Sequence, residues 1–508
     1  MSRQVARGVG RRYAEILAHA GTVTLLTGAI LASPVLAALA YPEEWRVAPA
    51  FLVPGAALAV AGALARRLVP RGARGALGLG DATVVVLLSW ILAVLGSAVP
   101  FMWVGGLDFT EAVFEATSGW TTTGLSVVDV ESARPTVLLL RSVLQLAGGA
   151  GLAILMLSAL LGPPGVGLSR AEGRGEQLVP LVSRSAALVV RIYAVYAVGG
   201  TLLLRWAGMA WFDAVNHAFS AVSTGGFSTR TASVGYWDSA AVELALVLLM
   251  FMGNLSFVTA YRVLRGKWRA FFTSGEVKLF GLLTALAFVL LLWGVAPAVG
   301  LEGGRAVRVA LFETVTALTT TGFSTVGYTP WPALGWWVLV LLMVVGGGTD
   351  STAGGLKQHR VYFLWRYLRF DVGRRLGPRH TANEFHLREN GSKRYFGPRE
   401  VASVATFVFL YGAVLAAGTA VLCVYGFGLQ ESLFEFASSL GTVGLSVGVT
   451  TASAPGAVLW TETLGMLLGR LEFYALFVAA GVLVLDAREA LAPLRGRRAW
   501  RGAQPAER

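Results

Sequence analysis

Apolar residues along this chain gather into long continuous runs, and the runs are interrupted at regular intervals by short segments rich in threonine and glycine. Crossing a bilayer takes roughly 20 apolar residues. Two such runs open the chain, and eight more frame four polar segments, at about 80–103 and 136–161, 186–206 and 238–263, 276–299 and 332–370 (interrupted), and 401–426 and 457–486. The runs are unbroken rather than alternating with period two, which favours helices over an outer-membrane barrel. Ahead of each polar segment stands a half-polar stretch: "DFTEAVFEATSG", "WFDAVNHAFSAV", "VALFETVTALT" and "ESLFEFASSL". These stretches are too short and too polar to span, and they suit re-entrant half-helices.

The polar segments are repeats of one another. They are "TSGWTTTGLSV", "AVSTGGFSTR", "ALTTTGFSTVG" and "SSLGTVGLSVG". Aligned on their last glycine they read Thr122-Thr123-Gly124, Thr224-Gly225-Gly226, Thr320-Thr321-Gly322 and Thr442-Val443-Gly444, followed by Leu or Phe and then Ser126, Ser228, Ser324 and Ser446. Seven places before each leading threonine stand Glu115, His217, Glu313 and Glu435. The expected fold is therefore an all-α integral membrane protein. Two N-terminal transmembrane helices precede four pseudo-fourfold helix–pore loop–helix repeats around a central pore. The segments are 1–75 for the extension, then 76–175, 176–270, 271–399 and 400–508 for the repeats, giving ten spans and four re-entrant loops.

Composition agrees with a membrane protein. Hydrophobic residues are 55% of the 508 and charged residues 14%, against about a quarter charged in soluble domains, and mean hydropathy is +0.64. The net charge is +13 and the pI about 10.2, values that can accompany nucleic-acid binding. The arginines, however, cluster between apolar runs as cytoplasmic loops require, which argues against nucleic acid. Arg3, Arg7, Arg11 and Arg12 at the start, Arg66, Arg67, Arg71 and Arg74, then Arg170, Arg174 and Arg184, Arg262, Arg265, Lys267 and Arg269, residues 357–399 and Arg488 onward all fall on one side. Both termini are then cytoplasmic and the polar loops enter from outside. "LAALAYP" imitates a signal-peptidase site, but a signal core is only about 7–15 residues. The run over 16–41 reads instead as a retained helix. The one cysteine, Cys423, lies in an apolar run and excludes a disulfide framework.

Non-helical backbone at membrane depth is tolerated only where it is buried in protein or lines water. Four copies imply a shared pore. Thr-x-Gly loops can offer backbone carbonyls and hydroxyls in place of the hydration shell of a monovalent cation. Glu115, His217, Glu313 and Glu435 either draw cations into the outer vestibule or act as interhelical hydrogen-bond partners.

On these loops and their spacing the chain resembles the Trk/Ktr/HKT superfamily of potassium transporters over essentially its whole length. The N-terminal helix pair resembles the Trk-type membrane (pore) subunit. The resemblance implies that Thr122, Thr123, Gly124, Thr224, Gly225, Gly226, Thr320, Thr321, Gly322, Thr442, Val443 and Gly444 form a selectivity filter holding K+. Glycine at 124 implies potassium selectivity, since serine there accompanies sodium permeation in plant relatives. The break "GGGTDSTAGG" (Gly346, Gly347, Gly348, Thr349, Asp350, Ser351, Thr352, Ala353, Gly354, Gly355) carries five glycines in ten residues. Glycine disfavours helix by about 1 kcal/mol each, and the family has an intramembrane gating loop here, usually with glycine where this chain has Asp350. Asp350 is open to an ion pair or a cation site. Arg470, in "MLLGRLEFYALF", is expensive inside a bilayer. The resemblance sets it just below the filter as an electrostatic barrier, with Asp350 or Glu472 as expected partners.

The segment 357–399 carries eleven Lys/Arg against three Asp/Glu and fits anionic lipid headgroups or a protein. By resemblance the partner is a cytosolic nucleotide-binding regulatory ring, and the membrane subunit is a homodimer in the bacterial plasma (inner) membrane. This chain has no Walker A run or dinucleotide fingerprint, so any nucleotide belongs to the partner. "GLSVG" at 444–448 fits a hydrolase elbow, but the repeats already account for Ser446, and no enzyme is expected. "NLS" at 254–256 and "NGS" at 390–392 are read as chance glycosylation triplets. The rival transport reading is a secondary carrier coupling potassium to sodium or protons by alternating access.

Overall fold

The computed structural model describes residues 2–69, 77–149, 151, 182–376, 384–389 and 392–501. Helix α1 (Ser2–Ala32) continues as a 3-10 turn over Ser33–Leu39, and α2 (Pro49–Arg67) returns beside it. The helix expected over 16–41 thus leaves α geometry at Ala32, because Pro34 lacks an amide donor and its ring crowds the preceding turn. A Cβ on Gly28 would run into the carbonyl of Gly55, and one on Gly62 into that of Gly21. Small residues at such a crossing let two backbones touch.

The remaining helices follow a recurring order. The first group is α3 (Leu79–Trp103), α4 (Phe109–Thr121) and α5 (Pro135–Gly149). The second is α6 (Val182–Trp206), α7 (Trp211–Val222) and α8 (Ala240–Asn254), with α9 (Phe257–Leu264). After the short α10 (Arg269–Thr273) come α11 (Gly275–Gly294), α12 (Gly303–Leu318) and α13 (Ala333–Val345). Then α14 (Gln358–Leu376) leads to an antiparallel hairpin, β1 (His386–Glu389) with β2 (Ser392–Tyr395), pairing His386 with Tyr395. The last group is α15 (Pro398–Val424), α16 (Leu429–Leu440), α17 (Gly456–Arg470) and α18 (Tyr474–Arg501).

Among the described residues, six stretches are long and apolar enough to cross a membrane unbroken: Gly10–Leu39, Pro49–Arg67, Gly80–Trp103, Leu188–Trp206, Gly275–Gly294 and Pro398–Val424. Two further spans exist only as bent pairs. The α8–α9 pair turns by 110° and the α17–α18 pair by 103°. Continuous helices over 238–263 and 457–486 were expected, so this is a correction. At the first bend the Phe257 amide leaves the helix and donates to the Asp350 carbonyl, 3.1 Å away. At the second, Glu472 and Phe473 sit at φ 53° and 55°, a left-handed conformation that no α-helix continues through. The shorter α13 stops at Gly346, at φ 69°. The predicted run over 136–161 is described through Gly149 and at Gly151. Its remainder, Arg71, Arg74, Arg170, Arg174, the boundaries at 75–76 and 175–176, and positions 390–391 of the "NGS" triplet lie outside the described residues.

The hairpin is also an addition to the expected all-α picture. It packs on α14 through aromatic rings: Phe363 lies 5.2 Å from Phe385 and 5.0 Å from Phe396, edge to face in both cases.

Candidate ion pathway and its gate

Each short helix begins outside the ring of loops and delivers its C-terminus to a Thr-x-Gly segment. In α4 the start is fixed by reciprocal capping, the Glu111 amide donating to Asp108 Oδ1 and the Asp108 amide to Glu111 Oε2, both at 2.8 Å. The end is the same in all four copies. Thr122, Thr224, Thr320 and Thr442 adopt φ 57°, 52°, 53° and 50°, a region a β-branched residue enters only when its surroundings impose it. The next amides fold back: Thr123 to Ser118 O, Gly225 to Ser220 O, Thr321 to Thr316 O and Val443 to Ser438 O, at 2.8–2.9 Å. Gly124, Gly226, Gly322 and Gly444 follow at φ 94°, 75°, 86° and 97°.

These glycines close a ring. A Cβ on Gly124 would strike Gly225 O, one on Gly226 Thr321 O, one on Gly322 Val443 O, and one on Gly444 Thr123 O. All twelve expected loop positions thus meet in one assembly, with the fourth segment abutting the first. Four helix C-termini converge on it, and each carries roughly half a negative charge, which favours a cation. The hydroxyls of Thr122 and Thr442 are buried and accept or donate no hydrogen bond among the described residues. Gln145 departs from the fourfold pattern, its Nε2 donating to Gly225 O at 2.6 Å.

The four residues expected either to draw cations into the vestibule or to act as interhelical hydrogen-bond partners brace the loop that follows their own half-helix, and Glu115 also bonds across to α5. Glu115, His217, Glu313 and Glu435 are each fully buried. Glu115 accepts from Ser126 Oγ and the Val127 amide, both at 3.0 Å, and from Arg141 Nε at 2.7 Å. Glu313 accepts from the Thr325 amide at 2.8 Å and Tyr328 Oη at 2.5 Å. Glu435 accepts from Ser446 Oγ at 2.6 Å and the Val447 amide at 3.0 Å. His217 Nε2 lies 2.9 Å from Ser228 Oγ, and its ring stacks on Phe323 at 5.5 Å. Arg141 and Gln145 on α5 were missed by sequence reasoning. An arginine inside "PTVLLLRSVLQLAGG" is the same signal that singled out Arg470.

The glycine-rich break lies directly against the ring. The Gly354 amide donates to Thr320 Oγ1 at 2.7 Å, and Thr224 Oγ1 donates to Thr352 Oγ1 at 3.1 Å. Gly347 donates to Gly354 O at 3.1 Å, so the segment folds on itself, and Ser351 Oγ donates to Gly348 O at 2.6 Å. Neighbouring side chains hold it: Asn254 Oδ1 accepts from the Gly348 amide at 2.9 Å, Glu276 Oε1 from the Thr349 amide at 3.1 Å, and Gln358 Nε2 donates to Gly346 O at 3.0 Å. Glu276 and Gln358 were not singled out in the sequence, and Asn254 was noted only as part of a chance triplet. Asp350 has φ 53°, where Asp is among the few non-glycine residues that fit. Gly355 is at φ 75° and Ala353 is buried.

Arg470 ends α17. Its Nη1 donates to Thr352 O at 2.8 Å and its Nη2 to Gly148 O and Gly149 O at 2.5 and 2.8 Å. The expected Glu472 partnership is corrected: Glu472 pairs with Arg360 at 2.5 Å, because residues two apart around a bend face different ways.

Fold and site together define a mostly helical, multi-pass membrane protein whose re-entrant loops close on one another. The family model of the cation transport protein TrkH matches residues 70–487. The chain belongs to the TrkH family of cation transport proteins, a transport family rather than an enzyme family. It is 30% identical over 484 residues to the Trk system potassium uptake protein TrkH of Halomonas elongata, covering 91% of this chain and 97% of that one. It is 28% identical over 475 residues to an uncharacterized cation transporter of Methanocaldococcus jannaschii, covering 92% and 95%. The crystal structure of the potassium transporter TrkH from Vibrio parahaemolyticus superposes with a TM-score of 0.81 at 26% identity, covering 92% of this chain and 98% of that one.

Proposed function

We propose that this chain is the membrane subunit of a Trk-type potassium uptake system, and that K+ crosses through the ring of Thr-x-Gly loops. The carrying observation is the closed contact of four loops that share one backbone conformation, at the converging negative ends of four helices. Threonine hydroxyls and backbone carbonyls of residues 122–124, 224–226, 320–322 and 442–444 replace water around the dehydrated ion. Residues 346–355 are the gate, seated against Thr224 and Thr320, and Arg470 adds a fixed positive charge beside it. The relatives named as Trk system potassium uptake proteins support the choice of ion. The repeats begin at 76, 176, 271 and 400. Both termini face the cytoplasm of a bacterial inner membrane, the chain pairs as a homodimer, and a cytosolic nucleotide-binding ring acts on the gate.

The test is rescue of a potassium-uptake-deficient bacterium at low potassium, with the partner co-expressed. Wild type is expected to restore growth. Gly124→Ser, whose side chain overlaps Gly225 O, is expected to lower K+ over Na+ selectivity about tenfold, equivalent to about 1.4 kcal/mol. Wild-type failure with confirmed expression overturns the proposal.

A further inference from the structure

The bend between α17 and α18 joins the gate to the cytoplasmic arm through one ion pair. Arg360 lies on the first turn of α14, three residues after Lys357 closes the gating segment by donating to Ala353 O. Its guanidinium donates to Glu472 Oε2 at 2.5 Å and lies 3.9 Å from the centre of the Phe407 ring on α15. The two side chains are only 20% and 16% exposed. Glu472 and the following Phe473 are the two consecutive left-handed residues of the bend, and such residues persist only where their surroundings hold them. Phe473 is fully buried, 5.3 Å from Phe407 and 6.0 Å from Tyr411. Two positions before Glu472, Arg470 grips Thr352 O inside the gating segment and the two carbonyls at the end of α5.

We infer that Arg360 and Glu472 are positioning residues that transmit movement of the α14–hairpin arm to Arg470, and that their pairing holds the gate in the seated position. The inference rests on the transport reading above. The pathway is short and continuous. Displacing α14 withdraws Arg360 from Glu472, the bend loses the contact that imposes its left-handed backbone, and Arg470 shifts away from Thr352 O. Gln358, on the first turn of α14, moves with it, so the gating segment loses its hold from Arg470 and from Gln358 while the Asn254, Glu276, Thr224 and Thr320 contacts remain. Two arrangements of a packed element, each biased by a distant group, are the physical requirement for coupling. The aromatic seat of Arg360 matters because a guanidinium over a ring is held in place as well as neutralised.

The experiment measures rubidium uptake into proteoliposomes holding the full chain without its partner. Glu472→Gln and Arg360→Gln are expected to raise basal flux roughly tenfold while rubidium-over-sodium selectivity stays at the wild-type value. The exchanged pair Arg360→Glu with Glu472→Arg is expected to recover most of the closed behaviour, which a general loss of packing would not do. Asp371→Ala, which breaks the exposed Arg374 and Arg375 contacts farther along α14, is expected to leave basal flux unchanged. Single variants indistinguishable from wild type, or an exchanged pair as leaky as the singles, overturn the inference. Absence of rubidium flux from wild type under every condition, partner included, instead strikes at the transport reading.

Discussion

Arg141 and Glu115 show how much a single pair sustains here. Both are buried, at 3% and 0% side-chain exposure, and the pair also fixes Ser126 and Ser228, whose oxygens accept from the guanidinium at 2.9 Å. Removing one partner of a buried ion pair leaves a charge without compensation and costs about 3–5 kcal/mol. Glu115→Gln keeps the acceptor geometry for Val127 but not the charge. It is expected to destabilise the protein by an amount of that order, read as a lowered thermal midpoint in detergent by intrinsic fluorescence. Glu435, whose acceptor role is filled by amides and hydroxyls alone, is expected to tolerate the same change to Gln with a loss under half as large. Equal losses at the two sites would remove the distinction between a charged brace and a neutral one.

At the scale of elements, the spans and loops were legible because hydropathy and repetition both report on them. The four half-helices fall where the half-polar stretches predict, and the position seven places before each threonine marks a brace in every copy. The two bends were not legible. "NLS" and "LEF" contain neither glycine nor proline, and their geometry is imposed by Asp350 O on one side and by Arg360 on the other. Asn254, dismissed as part of a chance triplet, holds the Gly348 amide. Arg141 was overlooked although the rule applied to Arg470 covers it, and the hairpin went unseen because basic residues mask its aromatic seat. The α1–α2 crossing yields a separate test. Gly28→Leu forces a side chain into Gly55 O and is expected to cost about 1–3 kcal/mol by overpacking. Rubidium flux per folded molecule should stay the same, since the crossing lies outside the ring, and a change in ion selectivity would show otherwise.

At the scale of the molecule, the end of the chain closes on its beginning. Arg470 from the last group reaches the carbonyls ending α5 in the first, and Gly444 abuts Thr123. A further clasp ties three helices together, where Arg12 of α1 donates to Asp81 of α3 at 2.7 Å and to Asp486 of α18 at 2.9 Å, and Tyr13 Oη donates to Asp486 at 2.7 Å. The arginine side chain is a third exposed, so its contribution is modest, about 1 kcal/mol. Arg12→Ala is expected to lower the thermal midpoint by a few degrees, and more at low than at high salt, because screening already weakens the pair. A salt-independent loss would assign the effect to packing of the arginine stem.

Repeat two carries His217 where the other three carry glutamate, and Gln145 serves only one of the four loops. In an assembly of identical chains every amino-acid change is copied around the axis four times. Here one codon alters one wall, so mutation can change the ring of loops in quarter steps, and the quadrants are free to drift toward unlike tasks while three of them keep their shared backbone.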